Sequence, residues 1–248
     1  MQISLITVTY NCAEDLRVTL DSIRNQNFPI IEYIIIDGGS TDNTIEVIKE
    51  NTDLISKWIS EPDHGIYDAM NKGLNISTGE VIGFLHAGDR FASVDVLSSV
   101  AKKLSYDGFE FLYGDLQYIS SKNSTEVVRH WKSGCFSKSR LSNGWMPPHP
   151  TVYFRREVLN LTGLFDTNYQ IAADYDWLVR TLKREDLKIF YLDKIMVLMP
   201  TGGASNRSLG NILRKSSEDF LIIRRNKIGG IGTLFLKNFS KVGQFFCK

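Results

Sequence analysis

The chain has 248 residues, of which 43% are hydrophobic and 23% charged, the composition of a folded protein and not of a disordered one. A formal net charge of +1 excludes a globally basic nucleic-acid binder. The charge is uneven, because residues 207–248 carry nine Lys/Arg and two Asp/Glu, a net +7, and residues 1–206 a net −6.

Residues 3–10 are β-branched and aromatic and predict a buried strand, after which Asn11 caps a helix carrying Leu16, Leu20 and Ile23 at helical spacing. Residues 31–37 (IEYIIID) predict a second strand closed by Gly38-Gly39, and residues 40–44 open a helix with Ile45 and Ile48 on one side. A short strand over 57–61, a helix over 66–76 and a strand over 81–85 follow. Strand–helix repetition at this pitch implies right-handed crossovers and a mainly parallel, Rossmann-like sheet with helices on both faces, an α/β fold.

The second half is less regular. Residues 111–119 and 126–131 pair around a polar turn, 151–155 form a short strand, 173–183 an amphipathic helix and 188–198 a further strand. Residues 208–226 are helical. In the last segment Ile228, Ile231, Phe235, Phe239, Val242 and Phe246 recur at spacings of three and four, with Lys227, Lys237, Lys241 and Lys248 among them. That pattern predicts a basic amphipathic helix able to lie on an anionic membrane surface. The N-terminus runs straight into a strand without the features of a signal peptide, and no apolar run approaches the ~18 residues that span a bilayer. Cys12, Cys135 and Cys247 lack metal-type spacing and fit a reducing compartment. The expectation is a cytoplasmic protein, soluble or peripheral on the inner face of the cytoplasmic membrane.

In a parallel sheet, ligands collect at the carboxyl ends of the strands. The polar residues there are Thr9, Tyr10 and Asn11, then Asp37, then Glu61 and Asp63, then Asp89. Asn11 and Ser40 read as turn or cap residues, whereas Asp37 and Asp89, each after an apolar strand, read as functional. TVTYNCAED after the first strand holds no glycine, which excludes a Rossmann dinucleotide fingerprint, and no Walker lysine loop exists. Asp68, Asn71 and Lys72 lie at i, i+3 and i+4 and share one helix face, against the bland reading of a solvated Asp68–Lys72 pair.

ITVTYN, IEYIIIDGGSTDNT, SEPDHGIYDAMNKGLNISTGEVIGFLHAGD, PHPTVYFRREV and ADYDWLVR, in that order, resemble the family 2 glycosyltransferases of GT-A fold over about residues 3–200. The resemblance implies a GT-A catalytic domain over 1–206 and a basic helical extension over 207–248. It implies an enzyme that moves a sugar from a nucleotide diphosphate, UDP by preference, to an acceptor hydroxyl with Mn²⁺ or Mg²⁺. Its setting would be O-antigen (lipopolysaccharide), capsule or exopolysaccharide assembly on a lipid carrier. Thr9 and Tyr10 match the loop that packs on the nucleobase, and Asp37 the carboxylate that meets uracil. The Asp68, Asn71 and Lys72 face matches the one that meets ribose, diphosphate and donor sugar.

Asp89 matches the metal-binding carboxylate, of which the family usually shows two; this chain has Leu85-His86-Ala87-Gly88-Asp89, and His86, near enough to be considered as a ligand, is expected instead to be a hydrogen-bonded structural residue. Asp174 matches the base that deprotonates the acceptor in inverting members, with Ala173 where a Glu is frequent. Asp176 is expected to pair with Arg180, and His149, in an exposed Pro-rich loop, and Trp145 to line the acceptor side. The alternative is a catalytically impaired nucleotide-sugar-binding module on the same fold. A nucleotidyltransferase is disfavoured by the loop after the first strand.

Overall fold

Period-two alternation of large apolar residues builds the sheet. A computed structural model describes residues 1–29, 31–106, 108–202 and 209–239. In β1 (Ile3–Thr9), Ile3 and Leu5 pack into one buried cluster and Ile6 and Val8 into another; in β2 (Ile31–Asp37), Tyr33 and Ile35 join the first, Ile34 and Ile36 the second. Both faces of these strands are therefore covered, as a parallel sheet requires. The intervening α1 (Ala13–Arg24) buries Leu16, Leu20 and Ile23. It is followed after β2 by α2 (Thr44–Glu50), β3 (Lys57–Ser60), α3 (Ile66–Ile76) and β4 (Val81–Phe84). The predicted helix cap moves: Cys12 precedes α1 without a side-chain cap, while Asn11, at φ 49°, accepts the Thr41 N–H at 2.8 Å and holds the loop before α2.

Strands β3, β2, β1 and β4 run parallel in that order. Thr9 sits opposite Asp37 and Asp37 opposite Ser60, so three strand ends finish level at one edge. Beyond β4 the sheet is mixed. After β5 (Arg90–Phe91) and α4 (Val96–Tyr106) come β6 (Phe111–Ile119), β7 (Val127–Trp131), α5 (Ser139–Ser142), β8 (Tyr153–Arg155), α6 (Glu157–Thr162), α7 (Ala173–Leu182) and β9 (Ile189–Pro200). β8 lies antiparallel between β4 and β6, β9 runs parallel to β6, β5 pairs antiparallel with β9, and β7 pairs antiparallel with β6. A Cβ on Gly83 of β4 would stand 2.3 Å from the Tyr153 ring, so the β4–β8 pair closes only over glycine. Elements β5, α4, α5 and α6 were not anticipated, although Val96, Val100 and Leu104 carry the i, i+4, i+8 signal and are fully buried.

The C-terminal helices α8 (Leu209–Arg225) and α9 (Ile231–Phe239) pack on this body. Ile222 and Ile223 are fully buried in the cluster that contains Trp177. The described part of α8 begins at Leu209; the expected start at Ser208, the 206/207 boundary, Lys241, Val242, Phe246, Cys247 and Lys248 lie outside the described residues. No helix among the described residues is long and apolar enough to cross a membrane.

Candidate active site

The level ends of β1, β2 and β3 form one wall. Asp37 is fully buried, and its carboxylate is occupied: Oδ2 accepts the N–H groups of Gly39 (3.0 Å) and Ser40 (2.9 Å) and the Ser60 hydroxyl (2.7 Å), and Oδ1 accepts the Ser40 hydroxyl (2.5 Å). Four accepted bonds fill what a carboxylate offers. Asp37 therefore builds the floor of this wall. The Tyr10 ring, 62% exposed, and the Asp63 carboxylate flank Gly38, whose added Cβ would meet them at 3.3 and 2.6 Å. The Thr9 hydroxyl is buried against Cys12 Sγ at 3.0 Å.

Helix α3 starts at Gly65, whose φ of 110° favours glycine. Asp68 accepts the His64 N–H at 3.1 Å. Lys72 lies 2.8 Å from Glu61 and 3.6 Å from Asp68, and its pKa is raised, chiefly by Glu61. The expected ion pair exists, with Glu61 the nearer partner. Asn71 departs from the expected donor-facing role. Its amide nitrogen donates to the Phe165 carbonyl (2.9 Å) and its oxygen accepts the Phe165 N–H (3.0 Å), so both ends tie α3 to the chain before α7.

Asp89 follows β4 and is 6% exposed. Burial, with help from the Asp15 charge, pushes its carboxyl up to about 8. Among the described residues no three His, Cys, Asp or Glu side chains cluster as a ready-made metal cage. Tyr118 of β6 feels the charges of both Asp89 and Asp174, so both carboxylates lie within electrostatic reach of it.

Asp174 sits in the first turn of α7, where the helix dipole favours a carboxylate. Its Oδ1 accepts the Tyr175 N–H at 2.8 Å and lies 3.1 Å from the Tyr67 hydroxyl, which is also 2.7 Å from the Ile171 carbonyl. No hydrogen bond to Oδ2 exists among the described residues. Three backbone N–H groups before α7, those of Gln170, Ile171 and Ala172, donate to the buried Glu218 of α8 at 3.0, 2.9 and 2.9 Å. A helix from the supposed extension thus fixes the segment that presents Asp174. Asp176 is buried and meets Arg180 at 2.7 Å, as expected.

Asp174 opens into a cavity of about 580 Å³, within the usual range of small-molecule sites. Tyr118, Trp131 and Met199 line its sheet side, and Arg214, Lys215 and Lys237 its helical side. His149 lines it too, but in one 3-10 turn (His149–Thr151) and only 6% exposed, not in an exposed loop. Its ring stacks on His86 at 6.3 Å, and burial lowers the two imidazoles to about 4 and about 3, so both are neutral at pH 7. His149 Nε2 is buried without a hydrogen-bond partner among the described residues. Trp145 is not at the cavity wall. Its ring packs on Tyr113 and Phe136, Arg140 covers it at 4.4 Å, and its indole N–H donates to the Ser133 carbonyl at 3.2 Å.

Residues 4–162 match glycosyl transferase family 2. The chain belongs to that family. This glycosyltransferase is 32% identical over 180 residues to an uncharacterized glycosyltransferase of Mycobacterium tuberculosis, covering 72% of this chain and 68% of that one. It is 30% identical over 208 residues to the PGL/p-HBAD biosynthesis glycosyltransferase of Mycobacterium bovis, covering 82% and 78%. Of solved structures, the mannosyltransferase PcManGT of Pyrobaculum calidifontis in complex with GDP-Man and Mn²⁺ has a TM-score of 0.70 at 18% identity, over 99% of this chain and 73% of that one. S. aureus TarS in complex with UDP-GlcNAc has a TM-score of 0.68 at 16% identity, over 91% and 65%. At such identity the likeness concerns the fold, which is of GT-A type.

Sequence reasoning missed Tyr67, Glu218, Arg214 and Lys215 in this glycosyltransferase. The one available signal was the lone acidic pair Glu218-Asp219 in an otherwise basic segment.

Proposed function

We propose that the chain is an inverting transferase that moves a sugar from UDP to the hydroxyl of a lipid-linked glycan, in assembly of a surface polysaccharide. The observation that carries this is Asp174, with Oδ1 fixed by Tyr67 and Tyr175 and Oδ2 free to take a proton at the floor of a cavity. In one displacement the acceptor oxygen bonds to the donor's anomeric carbon as the bond from that carbon to the diphosphate breaks. The acceptor proton passes to Asp174 Oδ2 and the bond electrons leave with the diphosphate. Tyr10, Gly38 and Asp63 form the place for the base of the nucleotide, over the loop that Asp37 braces.

The residues present fit a divalent cation held jointly with the donor. Asp89 is a buried oxygen ligand beside Asp15, and Mg²⁺ commonly takes only one or two carboxylates, with phosphate oxygens and water completing its shell. When bound there, Mg²⁺ or Mn²⁺ would supply positive charge to offset the negative charge building on the departing diphosphate. Peripheral attachment to the inner face of the cytoplasmic membrane is supported by the reversed polarity of α9. Ile231, Phe235, Leu236 and Phe239 are 51–68% exposed while Lys237 is buried, and the segment is net basic.

The test is Asp174→Asn. It should lose about 10²–10⁴-fold in transfer while retaining UDP binding, the usual worth of general-base help. An α-linked donor should give a β-linked product by NMR. Near-normal transfer by Asp174→Asn, or an α-linked product, refutes this reading. Asp89→Asn should abolish the response of turnover to added Mn²⁺, and wild-type turnover should cease in EDTA.

A further inference from the structure

The cavity beside Asp174 is electrically lopsided. Of its charged lining residues, Lys237 and Asp219 neutralise each other as a buried pair 2.6 Å apart. Of the other charged lining residues, Arg214 and Lys215 share the cavity with Asp174, and Arg129 lies in the same lining. Arg214 and Lys215 stand one turn before Glu218 and Asp219 on α8, so the helix that positions the base also aims two cations into the cavity. Lys215 is half-buried and makes no ion pair among the described residues, and the partner of Arg214 is the neutral amide oxygen of Gln170. Arg129 lies over the Tyr118 ring at 4.6 Å and near Trp131 at 5.5 Å, so its charge is carried on an aromatic platform. His149, 94% buried, lines the same cavity, and its Nε2 has no hydrogen-bond partner among the described residues.

Aromatic faces suit a sugar ring, and cations whose own partners are neutral suit an anion. We propose that the acceptor carries an anionic group, a carboxylate or a phosphate, close to the reacting hydroxyl, and that Lys215 and Arg214 hold it while Tyr118 and Trp131 cover the sugar. This inference rests on the glycosyl-transfer reading and deepens it: the acceptor is an acidic glycan or a sugar phosphate, not a neutral sugar.

The test uses the full chain with UDP and Mn²⁺ and three probes that differ only in charge: p-nitrophenyl β-glucoside, its 6-phosphate and p-nitrophenyl β-glucuronide. Binding is followed by NMR titration. At least one anionic probe should bind about 10-fold or more tightly than the neutral one, and whichever it is separates phosphate from carboxylate. Lys215→Gln and Arg214→Gln should each remove most of that preference, and added salt should erode it in the wild type. Unchanged affinity for UDP in each variant reports an intact donor side and an intact fold. Equal binding of neutral and anionic probes, binding of none, or a preference unaltered in both variants overturns the inference. Failure of the parent reading looks different: no transfer or hydrolysis of any UDP- or GDP-sugar.

Discussion

Lys237 and Asp219 offer the sharpest test of how α9 is held. Their side chains are 2% and 1% exposed, with 2.6 Å between Nζ and Oδ1, and the ammonium lies 3.0 Å from the Tyr175 ring centroid. At an effective dielectric of ~20 the attraction at this distance is about 6 kcal/mol, but desolvating two ions costs several kcal/mol each. Removing one partner strands the other, a loss of about 3–5 kcal/mol, whereas replacing both by apolar groups is close to neutral. Lys237→Met and Asp219→Leu should therefore each destabilise by about 3–5 kcal/mol, and the double variant should lie within about 1 kcal/mol of wild type. Urea unfolding followed by tryptophan fluorescence measures all four proteins. Burial holds the Lys237 pKa below its usual 10.5, by more than Asp219 restores. The unfolded chain thus binds more protons just below that usual value, and wild-type stability should rise with pH through that interval. Lys237→Met should lack the rise. Additive single losses, or a Lys237→Met loss under about 1 kcal/mol, would show that the pair does not hold the helix.

Two more outcomes are expected. Burial would raise the Glu32 carboxyl, but Lys57, Ser4 and Thr78 hold it near 2, so its stabilising effect is present above the unfolded value of 4.5 and lost as pH falls from there towards 2. A shift of that size corresponds to about 3 kcal/mol, so Glu32→Gln should flatten the acid limb of the stability curve by that much, and an unchanged limb counts against it. Phe235→Ser with Phe239→Ser in the full chain should cut co-sedimentation with anionic vesicles while leaving the Tm within a few degrees. Undiminished binding would assign the exposed face of α9 to another role.

The edge formed by β1, β2 and α3 was legible because the signals there are local. The apolar runs of β1 and β2 end at Thr9 and Asp37, and the i, i+3, i+4 spacing in α3 does put Asp68 and Lys72 within 3.6 Å. What those side chains touch was less legible, because the partners are distant in sequence. Asn71 is claimed by Phe165, 94 residues on, and Trp145 by an aromatic cluster that only the folded sheet gathers. His149 between two prolines reads as exposed, yet the turn drives it under Phe84 and Phe165. Of the predicted apolar stripe, Ile231, Phe235 and Phe239 lie exposed on α9, whereas Ile228 precedes the helix and is buried in the core; periodicity does not say which side faces the body, and Lys237 went in.

Glu218 divides the molecule in a way that matters for engineering. The family match ends at residue 162, before Asp174, and the carboxylate that organises the Asp174 segment comes from 46–48 residues further along. Recombination at a seam near residue 162 would therefore transplant the cavity's helical wall, the proposed base Asp174 and its clamp as one inherited block. A crossover between α7 and α8 would instead separate Glu218 from the three N–H groups that it holds. Chimeras between relatives should tolerate the first seam and lose activity at the second, even where both junctions fall in surface chain.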